Sequence, residues 1–491
     1  MTGRIFFCAV LGILSQEVHV SEAQQNNANA KHVTQTKLFG DDIKSWLTPD
    51  DGVLATENTP VYGVVEKPKI SEKDTGYEIT EYKDAMKDAL AYLRENKSYA
   101  IITPSNIPPN ASQAKNTVVE NQNPVRLKTM NDKNRKSTSI FPRNQMTSYS
   151  SLPYPTIVYP EILVIVDNAL FKKLGSNVRD VVIHILAFWN GVDLLFRNLE
   201  SPKFRFNIEA IIIVEAPLGF TNLKFAPDKI DATQLLRSVG RWLYSYQWAF
   251  PIDSYDIAVL MTSNNLLGES GYSIGGKTYP AKACKTLHKS KRVVKTACVR
   301  EVGDFLGIRV TAHELGHLLG ISGHDGKDFN KCPIKDGTIM TSNTFDLGPK
   351  YLEWSQCSLD KLTQSFVKNN LSCLYNKIYE QGAAVPRILP GKLIDLDKQC
   401  HFRTANTTSV IKDDNCKEYS CRTELNSDGF RLIHTWPIGP LDGSYCGQGK
   451  MCLLGNCVQE NFINDSSTRR KEHRKLYSKT LVKIFEFIFS S

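Results

Sequence analysis

A chain of 491 residues exceeds one ordinary domain and has room for about three. Its apolar fraction of 41% and charged fraction of 23% are those of a globular protein, which excludes a disordered or collagen-like chain. The net charge of +9 is compatible with acidic or polyanionic surfaces, but no basic run is interleaved with stacking aromatics, which argues against a nucleic-acid partner.

The chain starts MTGRIFFCAVLGILSQEVHVSEAQQ, with one Arg ahead of a short apolar run from Ile5 to Leu14. Small residues Ser21 and Ala23 then precede Gln24, so the pattern predicts a secretory signal peptide over 1–23. The apolar run is too short to cross a bilayer. Residues 24–150 hold no cysteine and contain an extended run, VYGVVEKPK, and an amphipathic helix, YKDAMKDALAYLREN. They are expected to form an α+β prodomain. The polar stretch NDKNRKSTSIFPRN reads as an exposed linker, and its Lys133-Asn134-Arg135-Lys136 is either a processing site or a solvated charge cluster.

From Tyr159 the pattern changes. EILVIVD, FNIEAIIIVE and YDIAVLMTS have strand length and composition. VRDVVIHILAFWNGVDLLFRNL and DATQLLRSVGRWLYSYQ, between them, have helical periodicity. Alternating strands and helices predict an α/β domain over 151–380 with a mainly parallel sheet. His184, inside the first of these helices, reads as a packed core histidine.

The stretch TAHELGHLLGISGHDG, residues 311–326, carries the chemistry. His313 and His317 are four apart and share one helix face, where two imidazoles can bind one zinc. Glu314 sits to the side, within reach of a water on the metal, where it can act as general base and then acid. Gly320 suits a left-handed helix end that turns the chain back. His324 supplies a third nitrogen and leaves a fourth position open.

Of twelve cysteines, Cys8 falls in the signal segment and the other eleven lie from Cys284 onward, so one thiol has no intramolecular partner. Six fall between Cys400 and Cys457, in a Gly-rich module over 381–460 too poor in core residues to fold without disulfides. Paired C-x-x-C spacing is missing there, which argues against a second zinc. Asn96, Asn110, Asn370, Asn406 and Asn464 head glycosylation sequons. The basic and apolar tail, 461–491, ends RRKEHRK and LVKIFEFIF, again too short to span a membrane.

The motifs YPEILVIVDNALF, GYSIGG, HELGHLLG, TIMTS, EWSQCS, SCLYNK and DGSYCGQGKMCLLGNCV resemble the reprolysin (adamalysin-like, M12B) metzincins, especially tick salivary metalloproteases and ADAM-TS proteases. The resemblance covers roughly residues 155 to 458. It implies a metzincin zincin fold with an active-site helix, and zinc held by His313, His317 and His324. It also implies Met340 as a Met-turn beneath them, and Gly271, Tyr272 and Ser273 near the strand that holds an extended substrate. A calcium is implied at Glu161, Asp256, the Cys373 carbonyl and Asn376. It pairs Cys332 with Cys357 and Cys373 with Cys284 or Cys298, leaving the other of those two as the odd thiol.

This sequence departs from the family twice. The family's third His stands six residues after its second, whereas His324 stands seven after His317, with Gly323 able to absorb the insertion. No Cys lies between Cys8 and Cys284, so latency would come from another group or from steric cover. The 381–460 module resembles a disintegrin-like region but has no Arg-Gly-Asp. The expectation is a secreted zinc endopeptidase, made as a zymogen, acting on extracellular proteins such as matrix or clotting proteins of a host. The rival is a non-catalytic binding protein acting through its cysteine-rich module.

Overall fold

The structure, a computed structural model, describes residues 53–66, 77–95, 154–218, 224–226, 229–326, 331–342, 348–377, 382–410, 414–425 and 430–460. The expected signal segment 1–23, the expected linker with Lys133–Lys136, the tail 461–491 and the sequons at Asn96, Asn110 and Asn464 lie outside the described residues. Asn370 and Asn406 are exposed.

In chain order the elements are β1 (Val61–Glu66), β2 (Tyr77–Glu81), α1 (Ala85–Glu95), β3 (Glu161–Val166), α2 (Val178–Arg197) and β4 (Asn207–Val214). There follow α3 (Ala232–Ser245), β5 (Ile257–Thr262), β6 (Gly276–Thr278), the hairpin β7 (Thr286–Leu287) and β8 (Arg292–Val293), β9 (Thr296–Arg300) and α4 (Gly307–Leu319). The extended runs and periodic segments of the sequence thus become strands and helices as expected.

One seven-stranded sheet runs β6-β9-β5-β3-β4-β1-β2. Its inner pairs are parallel, and the edge strands β6 and β2 are antiparallel to their neighbours. Side chains alternate across the sheet as strand geometry requires. Ile162, Val164, Ile211, Val259 and Val299 enter the core shared with α2 and α4, and Leu163, Ile165, Ile212, Leu260 and Cys298 enter the core beneath α3. Helices on both faces bury the parallel strands, which is why those strands read as unbroken apolar runs. Gly191 lets α2 and α4 approach closely: a Cβ there would stand 2.6 Å from Ile308 Cδ1.

The cysteines form Cys284–Cys373, Cys332–Cys357, Cys400–Cys421, Cys416–Cys452 and Cys446–Cys457. Among the described residues Cys298 is the unpaired thiol, buried on β9. The cysteine-rich module contains two small three-stranded antiparallel sheets held by three of these bridges. The chain leading into it is fixed to α2. Buried Asp193 accepts hydrogen bonds from Arg197 at 2.6 Å and Arg387 at 2.5 Å, and Asn190 donates to the Ile388 carbonyl.

The described part of 24–150 is built into the same sheet. β1 pairs in parallel with β4, Val61 opposite Ile211, and α1 buries Ala85, Met86, Ala89, Leu90 and Leu93. That spacing gives one apolar helix face, and each large side chain in it contributes about 1.5–3 kcal/mol. The backbone also bonds Glu57 to Ala383 and Val385 to Ala55. These strands lie at the opposite edge of the sheet from β6. Cutting the chain at a protease site engineered into residues 101–150 is therefore expected to leave the N-terminal fragment co-eluting with the remainder on gel filtration until denaturant is added. Separation from a still-folded remainder would contradict this.

Candidate metal centre

α4 places His313 and His317 one turn apart, with ring centroids 4.7 Å from each other. The helix ends at Gly320, whose φ of +110° suits glycine; a Cβ there would also stand 2.1 Å from Ser365 Oγ. Beyond it, Gly323 is again left-handed, at φ +68°. The chain so turned brings the His324 ring to 5.2 Å from His313 and 4.9 Å from His317. One ring nitrogen from each lies within 4.8 Å of the others, and His317 Nε2 and His324 Nε2 are 3.2 Å apart. The seven-residue step is thus accommodated outside the helix.

Two carbonyls orient the rings. His313 Nδ1 is 2.7 Å from Ile339 O, and His317 Nδ1 is 2.9 Å from Ile321 O. A carbonyl only accepts, so each Nδ1 is the donor and each Nε2 keeps its lone pair. Burial, followed by repulsion from His317, pulls His313 down to about 3, and burial lowers His317 as well. Both rings are neutral at pH 7, the form that ligates a metal.

Other contacts hold this frame together. Asp325, buried beside His324, accepts from the Thr338 hydroxyl at 2.6 Å and the Ser355 hydroxyl at 2.8 Å, and its N–H donates to Met340 O. Met340 is fully buried under α4; a Cβ on Gly316 would stand 2.8 Å from its Sδ. Arg309 donates to the carbonyls of Tyr351, Gly337 and Thr338 and to the Thr341 hydroxyl, which fastens the Met340 turn to the helix. Arg309 was not singled out from sequence. Nothing local marks an arginine whose partners lie about thirty residues away.

Glu314 is buried, and burial pushes its carboxyl up to about 8, with Lys277 nearby acting in the opposite direction. β6 is the free edge of the sheet beside it: a Cβ on Gly276 would lie 2.7 Å from Glu314 Cγ. Gly271, Tyr272 and Ser273 precede that edge. Tyr272 is 77% exposed, and Ser273 pairs with Leu267 in a separate small sheet. The edge strand beside Glu314 is Gly276–Thr278, with Gly271, Tyr272 and Ser273 a few residues before it in the chain.

Glu161, Asp256, Cys373 and Asn376 also meet. Asp256 Oδ2 accepts from the Glu161 N–H at 2.9 Å, Asn376 hydrogen-bonds the Glu161 carboxylate, and the bridge Cys284–Cys373 ties the two segments. Burial, with Glu161 and Glu209 adding repulsion, pushes Asp256 up to about 7. Lys295, bonded to the Ile252 and Tyr255 carbonyls, offsets part of that negative charge. His184 lies elsewhere, stacked on Phe305 at 4.2 Å and packed against Glu301. Among the described residues, two cysteine-containing clusters also have metal-like spacing, but every cysteine in them is in a disulfide.

Residues 158–377 match the Reprolysin (M12B) family zinc metalloprotease, and residues 390–458 match the ADAMTS cysteine-rich domain 2. The chain is 32% identical over 334 residues to "A disintegrin and metalloproteinase with thrombospondin motifs like" of Bombyx mori, covering 64% of this chain and 46% of that protein. It is 29% identical over 222 residues to Venom metalloproteinase 3 of Eulophus pennicornis, covering 44% and 52%. To "A disintegrin and metalloproteinase with thrombospondin motifs 14" of Homo sapiens it is 27% identical, covering 61% and 23%. The chain thus spans about half or less of the length of these relatives. It carries a reprolysin (M12B) family domain followed by an ADAMTS cysteine-rich domain.

Proposed function

We propose that this chain is a secreted zinc metalloendopeptidase that cleaves extracellular proteins, such as matrix or clotting proteins of a host. The observation that carries the reading is three imidazoles converging on one point beside a buried, poorly solvated carboxyl and a free strand edge. Three imidazole nitrogens within reach of one ion fit zinc, and the Nδ1–carbonyl bonds of His313 and His317 are the outer contacts such ligands use. His313, His317 and His324 would hold the ion. Zinc, when bound, supplies Lewis acidity that polarises a peptide carbonyl and acidifies water.

The remaining steps belong to the protein. An extended substrate adds as a strand along Gly276–Thr278, with Gly271, Tyr272 and Ser273 flanking it. Glu314 takes a proton from the attacking water and passes it to the leaving amine. Its position supports this role, because the buried carboxyl has no hydrogen-bonding partner among the described residues and so is not tied into the fold. Met340 forms the floor under the ligands. Residues 1–23 direct export, and 24–150 form a prodomain that makes the protein a zymogen. Glu161, Asp256, the Cys373 carbonyl and Asn376 take a calcium, whose charge relieves the repulsion among the carboxylates.

Glu314→Gln is expected to lower casein cleavage by roughly 10²–10⁴-fold while zinc content stays at the wild-type level. Turnover that survives this change, or that survives a zinc chelator in the wild type, would contradict the assigned mechanism, and no cleavage by the zinc-loaded wild type would favour the rival binding-protein reading. Asp325→Ala strands two hydroxyl donors and should lower stability by about 2–4 kcal/mol, read as a fall in the thermal midpoint. Millimolar calcium should raise that midpoint in the wild type and not in Asp256→Asn; equal shifts would remove the calcium assignment.

A further inference from the structure

The chain from Ser270 to Arg300 contains no Asp or Glu, yet it carries eight Lys and Arg residues and His288. Lys277 pairs with Glu269, and Lys295 is buried. Most of the others gather on the β7–β8 hairpin, where His288, Lys289 and Lys291 are exposed at the tip and Lys285 and Arg292 flank it. Helix α3 supplies a second group. It has no acidic residue, and Arg237 and Arg241 are exposed one turn apart.

Packing joins the two groups. Gly240 lets α3 lie directly on β8: a Cβ there would stand 2.2 Å from Val293 O and 3.0 Å from Arg292 Cγ. One turn on, the Tyr244 ring meets the His288 ring at 5.9 Å. By helical geometry Arg237, Arg241 and Tyr244 lie on one flank of Gly240, so the helix flank and the hairpin make one surface. Among the described residues, no carboxylate forms an ion pair with Arg237, Arg241, Lys285, Lys289, Lys291 or Arg292. Uncompensated like charges repel and lower stability, so the fold itself gains nothing from gathering them. A polyanion would compensate them.

We propose that this surface binds a sulfated polysaccharide, with Arg237, Arg241, Lys285, Lys289, Lys291 and Arg292 as the cationic contacts. Five disulfides belong to an oxidising compartment, where sulfated polymers rather than nucleic acids are the available polyanions. The segment leading to the hairpin bonds to the last turn of α4, through Ala281 N to His317 O and Lys282 N to Leu318 O. Binding here would therefore hold the domain to the polymer close to α4. The site is independent of the metal centre and of any proteolytic activity.

The test uses the full chain and heparin as the probe, at physiological salt. The variant Arg237→Ala/Arg241→Ala/Lys289→Ala/Lys291→Ala should bind at least about tenfold more weakly and show a shallower salt dependence. A variant with the same charge loss elsewhere, Lys172→Ala/Lys173→Ala/Lys368→Ala/Lys417→Ala, should bind like wild type. Unsulfated hyaluronan should bind more weakly than heparin. Equal losses in both variants would reduce the effect to net charge and overturn the proposal. Tighter binding of duplex DNA or phosphatidylserine vesicles than of heparin would also overturn it. In the unmutated protein, bound heparin should shield Lys289 and Lys291 from amine acylation, and unchanged labelling would contradict the assignment without relying on any variant.

Discussion

Two ring N–H groups donating to two backbone carbonyls, His313 to Ile339 and His317 to Ile321, hold everything else at the centre in register. They select one tautomer of each imidazole and aim its free lone pair at the same point. Because the two carbonyls belong to different segments, the arrangement depends on more than one helix. Ile321 lies just past the left-handed Gly320, and Ile339 lies in the turn that ends in Met340. Arg309 and Asp325 keep that turn against α4 from two sides. Disturbing any of these would rotate a ligand without touching a histidine.

Two buried carboxylates near the centre have opposite character. Asp325 is satisfied by hydroxyl donors and a backbone link, so it works as a structural post behind His324. Glu314 has no such donors among the described residues, and burial raises its pKa to about 8. Desolvation without compensation is costly in a structural role and useful in a reactive one. Sequence distance gives no hint of this difference, since the two acids lie on the same short stretch.

The sheet was largely legible from sequence because buried parallel strands have a strong signature. EILVIVD and YDIAVLMTS are continuous apolar runs, and both became central strands. The i,i+4 histidines were legible for the same reason, since helical geometry is local. Long-range pairing was not. Nothing in VYGVVE says that it will lie parallel to Asn207–Val214, and that placement makes the segment part of the seven-stranded sheet. The odd thiol could not be chosen between Cys284 and Cys298 until strand alternation turned Cys298 into the core under α3. The role of Gly276, which makes room for Glu314, is likewise visible only once an edge strand lies against a helix.

His313, His317 and His324 are proposed to hold one zinc, with no sulfur ligand among the described residues. X-ray absorption at the zinc edge, on metal-quantified protein, tests it most directly. The expected result is one zinc per chain in a shell of nitrogen and oxygen scatterers without sulfur, with occupancy lost in His324→Ala. A sulfur-containing shell, or full occupancy in that variant, would contradict the account.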